Sequence, residues 1–232
     1  MRRNLIISLS SAFLLLTAVS CNKDENNGIG TYNGHEYVDM GLPSGILWAT
    51  CNLGAEEPHE YGLHFAWGEV TTKTNYEWGN YTLCNGAYNK LTKYCNVASY
   101  GDNGFVDDLI IVEADDDVVV KQWGEGWRMP TYTDMLEFQS YTNSEWTEQN
   151  GVKGRLFTSR VNGNTLFMPA SGTYKGTDLK DKGTKGYYWA GEINSINSPH
   201  RACSLEFDES EYFTSNCNYR CYGQTIRPIH KP

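Results

Sequence analysis

From Tyr32 to the end of the chain, short apolar runs alternate with Gly, Asn, Asp and Pro. This punctuation limits the fold more than any other feature, because such residues end a strand or helix after a few positions. It predicts many short strands, long loops and few helices. Residues 46–53 combine Ile, Leu, Trp, Ala, Thr and Cys without a charge and read as a strand buried on both faces. Residues 155–159 and 165–168 flank Val161-Asn162-Gly163-Asn164, where Asn-Gly supplies the positive φ of a tight hairpin turn. Further strands are predicted around residues 187–190, 202–207, 212–215 and 225–229.

Two helices are predicted. Thr131 can cap the first turn of a helix running to about residue 140, with Asp134 reaching back in a variant capping box and Met135, Leu136 and Phe138 as apolar contacts. A shorter helix follows Asp115-Asp116-Asp117, whose carboxylates suit the positive end of its macrodipole, and ends near Trp123-Gly124. The valines at positions 118–120 oppose it, since they lose side-chain freedom in a helix.

The N-terminus reads as an address. Arg2 and Arg3, an apolar stretch over residues 5–19 and a small residue before Cys21 form a secretory signal whose cleavage exposes that cysteine for lipidation in a bacterium. The apolar stretch is shorter than the roughly 18–20 residues that cross a hydrocarbon core. Residues 1–20 are therefore read as a lipoprotein signal peptide, residues 21–30 as a flexible acidic tether, and residues 31–232 as one domain. Cys21-Asn22-Lys23-Asp24-Glu25 resembles the lysine and two acids that mark surface-exported lipoproteins of Bacteroidetes-type bacteria. The implied location is the outer membrane, lipid-anchored and facing the exterior; a plain solvated linker facing the periplasm is the alternative.

Net charge is −9 with the lysines scattered, which argues against a nucleic-acid partner, because phosphate binding needs clustered cations. Aromatic residues make up 13% of the chain and Tyr leads them, so some hydroxyls must find partners or face a groove. With Cys21 lipidated, Cys51, Cys84, Cys95, Cys203, Cys217 and Cys221 remain, an even set that permits disulfides outside the cytoplasm. Cys84 with Cys95 is the preferred pair, bracketing a turn at Asn85-Gly86 in a loop whose closure contributes about 2–3 kcal/mol. Cys203 with Cys217 or Cys221 is the second choice, and Cys51 reads equally well as a buried thiol.

Several segments carry a family resemblance. Val38-Asp39-Met40-Gly41-Leu42-Pro43-Ser44-Gly45-Ile46-Leu47-Trp48-Ala49-Thr50-Cys51-Asn52-Leu53-Gly54-Ala55 resembles the opening of the Fibrobacter succinogenes major paralogous domain. Phe65-Ala66-Trp67-Gly68-Glu69, Leu91-Thr92-Lys93-Tyr94-Cys95, Trp123-Gly124-Glu125-Gly126-Trp127-Arg128-Met129-Pro130-Thr131 and Tyr222-Gly223-Gln224-Thr225-Ile226-Arg227-Pro228-Ile229 extend it in order. The resemblance implies a fold related to C-type lectins and formylglycine-generating enzymes: α+β, with short twisted antiparallel strands, about two helices and long loops. It implies no general activity, because such a scaffold hosts sugar binders, protein binders and enzymes alike.

Candidate chemistry is sparse. Glu113, Asp115, Asp116 and Asp117 could offer oxygens to calcium, but helix capping is simpler and no EF-hand spacing is present. Cys217-Asn218-Tyr219-Arg220-Cys221 has one residue too few between its cysteines to match the copper pair of the resembling enzymes. No metal or cofactor is assigned. Arg128 and Arg227 sit inside apolar motifs, so each guanidinium needs carboxylate or carbonyl partners and reads as a structural clamp. The overall expectation is a surface-anchored, non-catalytic binding module for extracellular glycans or proteins. Trp78, Tyr81, Tyr174, Tyr187, Tyr188 and Trp189 are its candidate contacts. A structural surface component, or a formylglycine-generating-enzyme-like oxidoreductase, is the alternative.

Overall fold

A computed structural model describes residues 28–194 and 196–232, without the side chains of residues 213–216. The signal segment, Cys21 and the export-like residues 21–25 lie outside the described residues. The chain is α+β: among the described residues, two α-helices stand beside antiparallel sheets. Neither helix is long and apolar enough to cross a membrane.

The first sheet ties the two ends of the domain together. Strands β1 (Ile29–Tyr32), β2 (His35–Val38) and β3 (Leu47–Ala49) are joined by β4 (Trp127–Arg128), with the last strand of the chain, Ile229–His230, between β3 and β4. In that register Ile229 faces Trp48 on one side and Arg128 on the other. β1 begins inside the segment read as tether, so Ile29 and Gly30 belong to the sheet. Residues 46–50 are buried as anticipated for a two-faced strand, but only Leu47–Ala49 is strand.

Helix α1 (Val118–Trp123) starts where the acidic run ends. The Asp117 carboxylate accepts Val119 N–H at 2.8 Å on one oxygen and Met129 N–H at 2.9 Å on the other. The helix forms despite its valines because Val118 and Val119 are buried; tertiary packing outweighs their weak propensity. Helix α2 (Tyr132–Tyr141) carries the anticipated capping box between Thr131 and Asp134.

The second half is built from ladders. β5 (Thr142–Gln149), β6 (Val152–Ser159) and β7 (Thr165–Pro169) form one sheet, β8 (Thr173–Lys175) and β9 (Asp178–Lys180) a ribbon, and β10 (Gly186–Ile193), β11 (Arg201–Phe207) and β12 (Tyr212–Tyr219) another sheet. The last strand is β13 (Ile229–His230), shorter than the 225–229 expectation, though Thr225 makes an isolated bridge to Tyr188. The β6–β7 hairpin is present, but its loop is longer than a two-residue turn: the ladder ends at Thr158 opposite Thr165, and Gly163 takes φ 80° within the loop.

Three apolar clusters result. Met135 and Phe138 of α2 pack with Phe157, Leu166, Leu205 and Phe207 from the sheets. Trp67, Trp127 and Trp189 form a second cluster with Val118 and Val119. The third holds Tyr76, Tyr81, Leu91 and the thiols of Cys84, Cys95 and Cys221.

Candidate functional site

Residues 50–117 contain only short 3-10 turns and isolated bridges, yet they are stitched to the C-terminal segment at defined points. Phe65 and Gln224 exchange backbone hydrogen bonds at 2.9 and 3.0 Å, Tyr76 and Gly176 at 2.9 and 3.1 Å, and Tyr174 and Gly223 at 2.8 and 3.0 Å. These bridges bring the 3-10 turn Trp78–Asn80, strand β8 and the residues after β12 to one place. Gly223 is required there: a Cβ on it would lie 2.7 Å from the Tyr76 ring.

The result is an open cleft of about 520 Å³ bordered by Tyr76, Glu77, Trp78, Gly79, Lys175 and Tyr222, with Tyr219 and Cys221 at its wall. Trp78, Tyr219 and Tyr222 are half-buried, so each anchors one side of its ring and shows part of the rest. Ring centres of Trp78 and Tyr219 stand 6.0 Å apart, and those of Tyr219 and Tyr222 5.4 Å. Tyr174 stacks on Tyr76 at 5.2 Å and also lines a neighbouring bay with His59, Tyr61 and Lys182.

Charge sits at the edges. Lys175 Nζ lies 5.4 Å above the Tyr222 ring, and Glu77 is exposed. Burial raises the phenol pKa of Tyr76 and Tyr222, so both stay protonated donors at neutral pH. Tyr219 continues into a second aromatic group: His200 lies 5.6 Å from it and stacks on Tyr100 at 4.6 Å. Burial, with Arg201 and Arg220 nearby, lowers the His200 pKa to about 4, so its imidazole is neutral near pH 7, while the Arg201 guanidinium lies 4.5 Å over the Tyr219 ring.

Of the six aromatic residues expected from the sequence, Trp78 lines this cleft and Tyr174 lines the neighbouring bay. The other four correct that expectation. Tyr81, Tyr188 and Trp189 are 3%, 1% and 0% exposed and cannot meet a ligand. Each polar atom is spent internally: Tyr81 OH donates to Trp67 O at 2.7 Å, Tyr188 OH to Pro169 O at 2.7 Å and Trp189 Nε1 to Phe65 O at 2.9 Å. Tyr187 is buried as well, donating to Asp181 at 2.8 Å. The glycine-rich surroundings suggested loops, but β10 is sealed along its open edge by Val112 N–H to Gly191 O and Ile193 N–H to Ile110 O.

The anticipated Cys84–Cys95 disulfide is also corrected. All six described cysteines are thiols; Cys84 donates to Trp78 O and Cys95 to Val97 O. Each fills a small buried apolar space and finds a carbonyl, which removes the need for a bond between them. Cys217 faces Cys203 across the strands, whereas Cys221 lies in the cluster of Cys84 and Cys95. The acidic run is committed to capping and to lysines: Asp116 accepts Lys93 Nζ and Tyr94 OH, both at 2.6 Å, and Asp115 pairs with Lys121 at 2.5 Å. Among the described residues, no group of three or more His, Cys, Asp or Glu could hold a metal.

Arg227 meets the clamp expectation: fully buried, it donates to Asn52, Thr50 and Phe167 at 2.8, 2.6 and 3.0 Å. Arg128 pairs with Asp134 at 2.7 Å. Sequence reasoning missed Tyr76, Lys175, Tyr219 and Tyr222. The signal for the last two was the aromatic density of Tyr219-Arg220-Cys221-Tyr222-Gly223, which reads first as a cysteine motif. Chemically, the cleft offers ring faces to the C–H side of a flat ligand and hydroxyl, ammonium and carboxylate groups to its polar rim. Compared with known proteins, the chain matches no family model, no curated protein and no solved structure.

Proposed function

We propose that this protein is a non-catalytic binding module that holds a glycan chain across the Trp78–Tyr222 cleft. The observation that carries this reading is the half-exposed row Trp78, Tyr219 and Tyr222 along an open cleft with Lys175 and Glu77 at its rim. A sugar ring has one apolar C–H face and a hydroxyl periphery, and it pairs with that arrangement of ring faces and polar edges. In this proposal Cys21 carries the lipid that fixes the protein to the outer membrane, facing the exterior. The lectin-like kinship implied by the resemblance of residues 38–55, 61–69, 91–95, 123–131 and 222–229 is part of the same proposal and rests on those segments.

A glycan array probed with the purified protein, in calcium and again in chelator, tests the reading. The expected result is a saccharide hit that survives chelation, because aromatic stacking needs no metal. Trp78→Ala is expected to weaken the hit at least tenfold while the protein stays folded, with a lower melting temperature because part of the ring packs on the Tyr81 cluster, in line with about 1.4 kcal/mol or more for a stacking residue at the centre of a site. A hit that survives Trp78→Ala, or silence across the array from folded protein, would overturn it.

A further inference from the structure

A second feature lies in the β10–β12 sheet, in a cavity lined by other residues than the aromatic cleft, although β12 contributes Cys217 to the one and Tyr219 to the other. Cys203 and Cys217 are directly opposed in the antiparallel β11–β12 ladder, with their sulfurs 3.9 Å apart. Directly opposed residues in such a ladder have Cα atoms about 4.5–5.5 Å apart, inside the span of about 4.4–6.8 Å that a disulfide bridges. Side-chain rotation therefore suffices to join the sulfurs, and the strands need not move. Both thiols line a cavity of about 320 Å³ whose other walls are Ile110, Tyr132, Ile193 and Ile196 with the polar side chains of Glu192 and Asn194. Its rim is open to solvent, since Ile110 is 41% and Ile196 80% exposed.

The two sulfurs are not equivalent. A hydrogen bond from Cys203, aided by the Asn194 side chain and the Arg201 guanidinium and opposed by burial and Glu206, lowers the Cys217 pKa to about 7. The same pairing, with burial and Glu192, pushes Cys203 up. Burial raises the thiols of Cys51, Cys84, Cys95 and Cys221. Attack on a disulfide is most effective from a thiol whose pKa lies near the ambient pH.

We propose that Cys203 and Cys217 form a dithiol site that reduces a small, uncharged, apolar disulfide entering the Ile110–Ile196 cavity and closes into a cross-strand disulfide. The Cys217 thiolate attacks one sulfur of the incoming R–S–S–R, forming a mixed disulfide and releasing RS⁻, which takes up a proton. Cys203 then loses its proton and attacks the Cys217 sulfur, displacing the second RS⁻. Two protein thiols lose two electrons and the incoming disulfide gains them, leaving two RSH. Ile110 and Ile196 at the rim favour an apolar ligand and the Glu192 carboxyl in the wall disfavours an anionic one, and the opposed geometry makes the second step intramolecular.

The test uses the full chain, first reduced, with 4,4′-dithiodipyridine as the probe. Non-reduced peptide mapping is expected to show Cys203 joined to Cys217, with two thiopyridones released by that pair and no pyridyl group left on either. Cys203→Ser is expected to stop at a stable pyridyl adduct on Cys217. Cys217→Ser should slow modification at position 203 at least about tenfold, because its remaining thiol is mostly protonated. Pyridyl adducts persisting on both cysteines of the unsubstituted protein would overturn the proposal, as would modification of this pair only after denaturation. Melting curves of both serine variants confirm that a changed pattern is not unfolding.

Discussion

The two halves of this molecule solve the same problem by different means. In the β5–β7 and β10–β12 sheets, backbone groups satisfy one another in ladders, and the side chains left over pack as plain hydrocarbon: Phe138, Phe157, Leu166, Leu205 and Phe207. Residues 50–117 bury Phe65, Trp67, Tyr76, Tyr81, Leu91 and Tyr94 as completely, with no strand or α-helix among them. There the backbone is held from outside by polar tips of large side chains. Tyr81 OH holds Trp67 O, Tyr76 OH holds His64 O at 2.6 Å, and Asp107 receives the N–H groups of Tyr94 and Cys95 at 2.7 and 2.9 Å. Aromatic residues dominate such a region because one side chain supplies both apolar area and a hydrogen-bonding end. A looped region built this way is organised enough to hold a binding surface.

Arg220 is the sharpest test of that contrast. It is 0% exposed and donates to Tyr81 OH, Tyr94 O, Pro199 O and Lys93 O at 2.9, 2.9, 2.9 and 3.0 Å. Its guanidinium also lies 5.0 Å from the Trp67 ring centre. Arg220→Met keeps the volume but leaves three buried carbonyls without this donor, which is expected to cost about 3–5 kcal/mol in urea unfolding. Arg220→Lys should recover little, because one ammonium cannot reproduce the fork. Hydrogen exchange should rise first over residues 81–100, while the β5–β7 ladder stays protected. A cost below about 1 kcal/mol, or equal loosening of both halves, would remove the distinction between them.

The same contrast explains what could be read from the chain. The β6–β7 hairpin, the strands expected around 187–190, 202–207 and 212–215 and both helices were legible because a period, a cap or an Asn-Gly pair is local, whereas of the strand expected over 225–229 only Ile229 is strand. Thr131 and Asp134 sit three residues apart and make their capping box whatever surrounds them. The aromatic cleft was only partly legible, because Trp78, Tyr174 and Tyr219 are brought together by bridges such as Tyr76–Gly176 and Tyr174–Gly223, which link positions far apart in sequence. Tyr81, Tyr188 and Trp189 misled for a related reason: their neighbours look like loop, and what covers them arrives from elsewhere. The Cys84–Cys95 pairing was a spacing argument, and spacing does not fix where two side chains point.

The ladder half carries its own exception in Glu192, on β10. Burial, reinforced by Asp134 and opposed by Arg128, raises its pKa from 4.5 to about 7, although its carboxylate accepts Tyr132 N–H at 2.6 Å. Between those pKa values the folded protein holds a proton that the unfolded chain releases, so this group's effect on stability worsens as pH rises from about 4.5 to 7 and then levels off. The span is on the order of 3 kcal/mol. Glu192→Gln is expected to flatten that slope and to exceed the parent protein in melting temperature at pH 8 but not at pH 4.5. An unchanged slope would show that the carboxylate is already ionised in the fold, with the helix N–H outweighing desolvation.

The smallest expected effect separates fastening from binding within the looped half. Tyr76 lies under the cleft, its ring stacked on Tyr174 and its hydroxyl donating to His64 O. Tyr76→Phe keeps the ring, and therefore the stack, but leaves that carbonyl without its partner, at an expected cost of about 1 kcal/mol in thermal or urea unfolding. Glycan affinity should stay within about twofold, because the hydroxyl faces inward and the lost bond does not border the ligand. Gly223→Ala is the complementary change: its Cβ would press on the same ring from the backbone side, displacing the stack and weakening binding with a comparable loss of stability. If the two variants were indistinguishable in binding, the position of the Tyr76 ring would have no part in shaping the cleft. A difference between them would show that the tyrosine's ring, rather than its hydroxyl, connects the packed interior to the surface that meets the glycan.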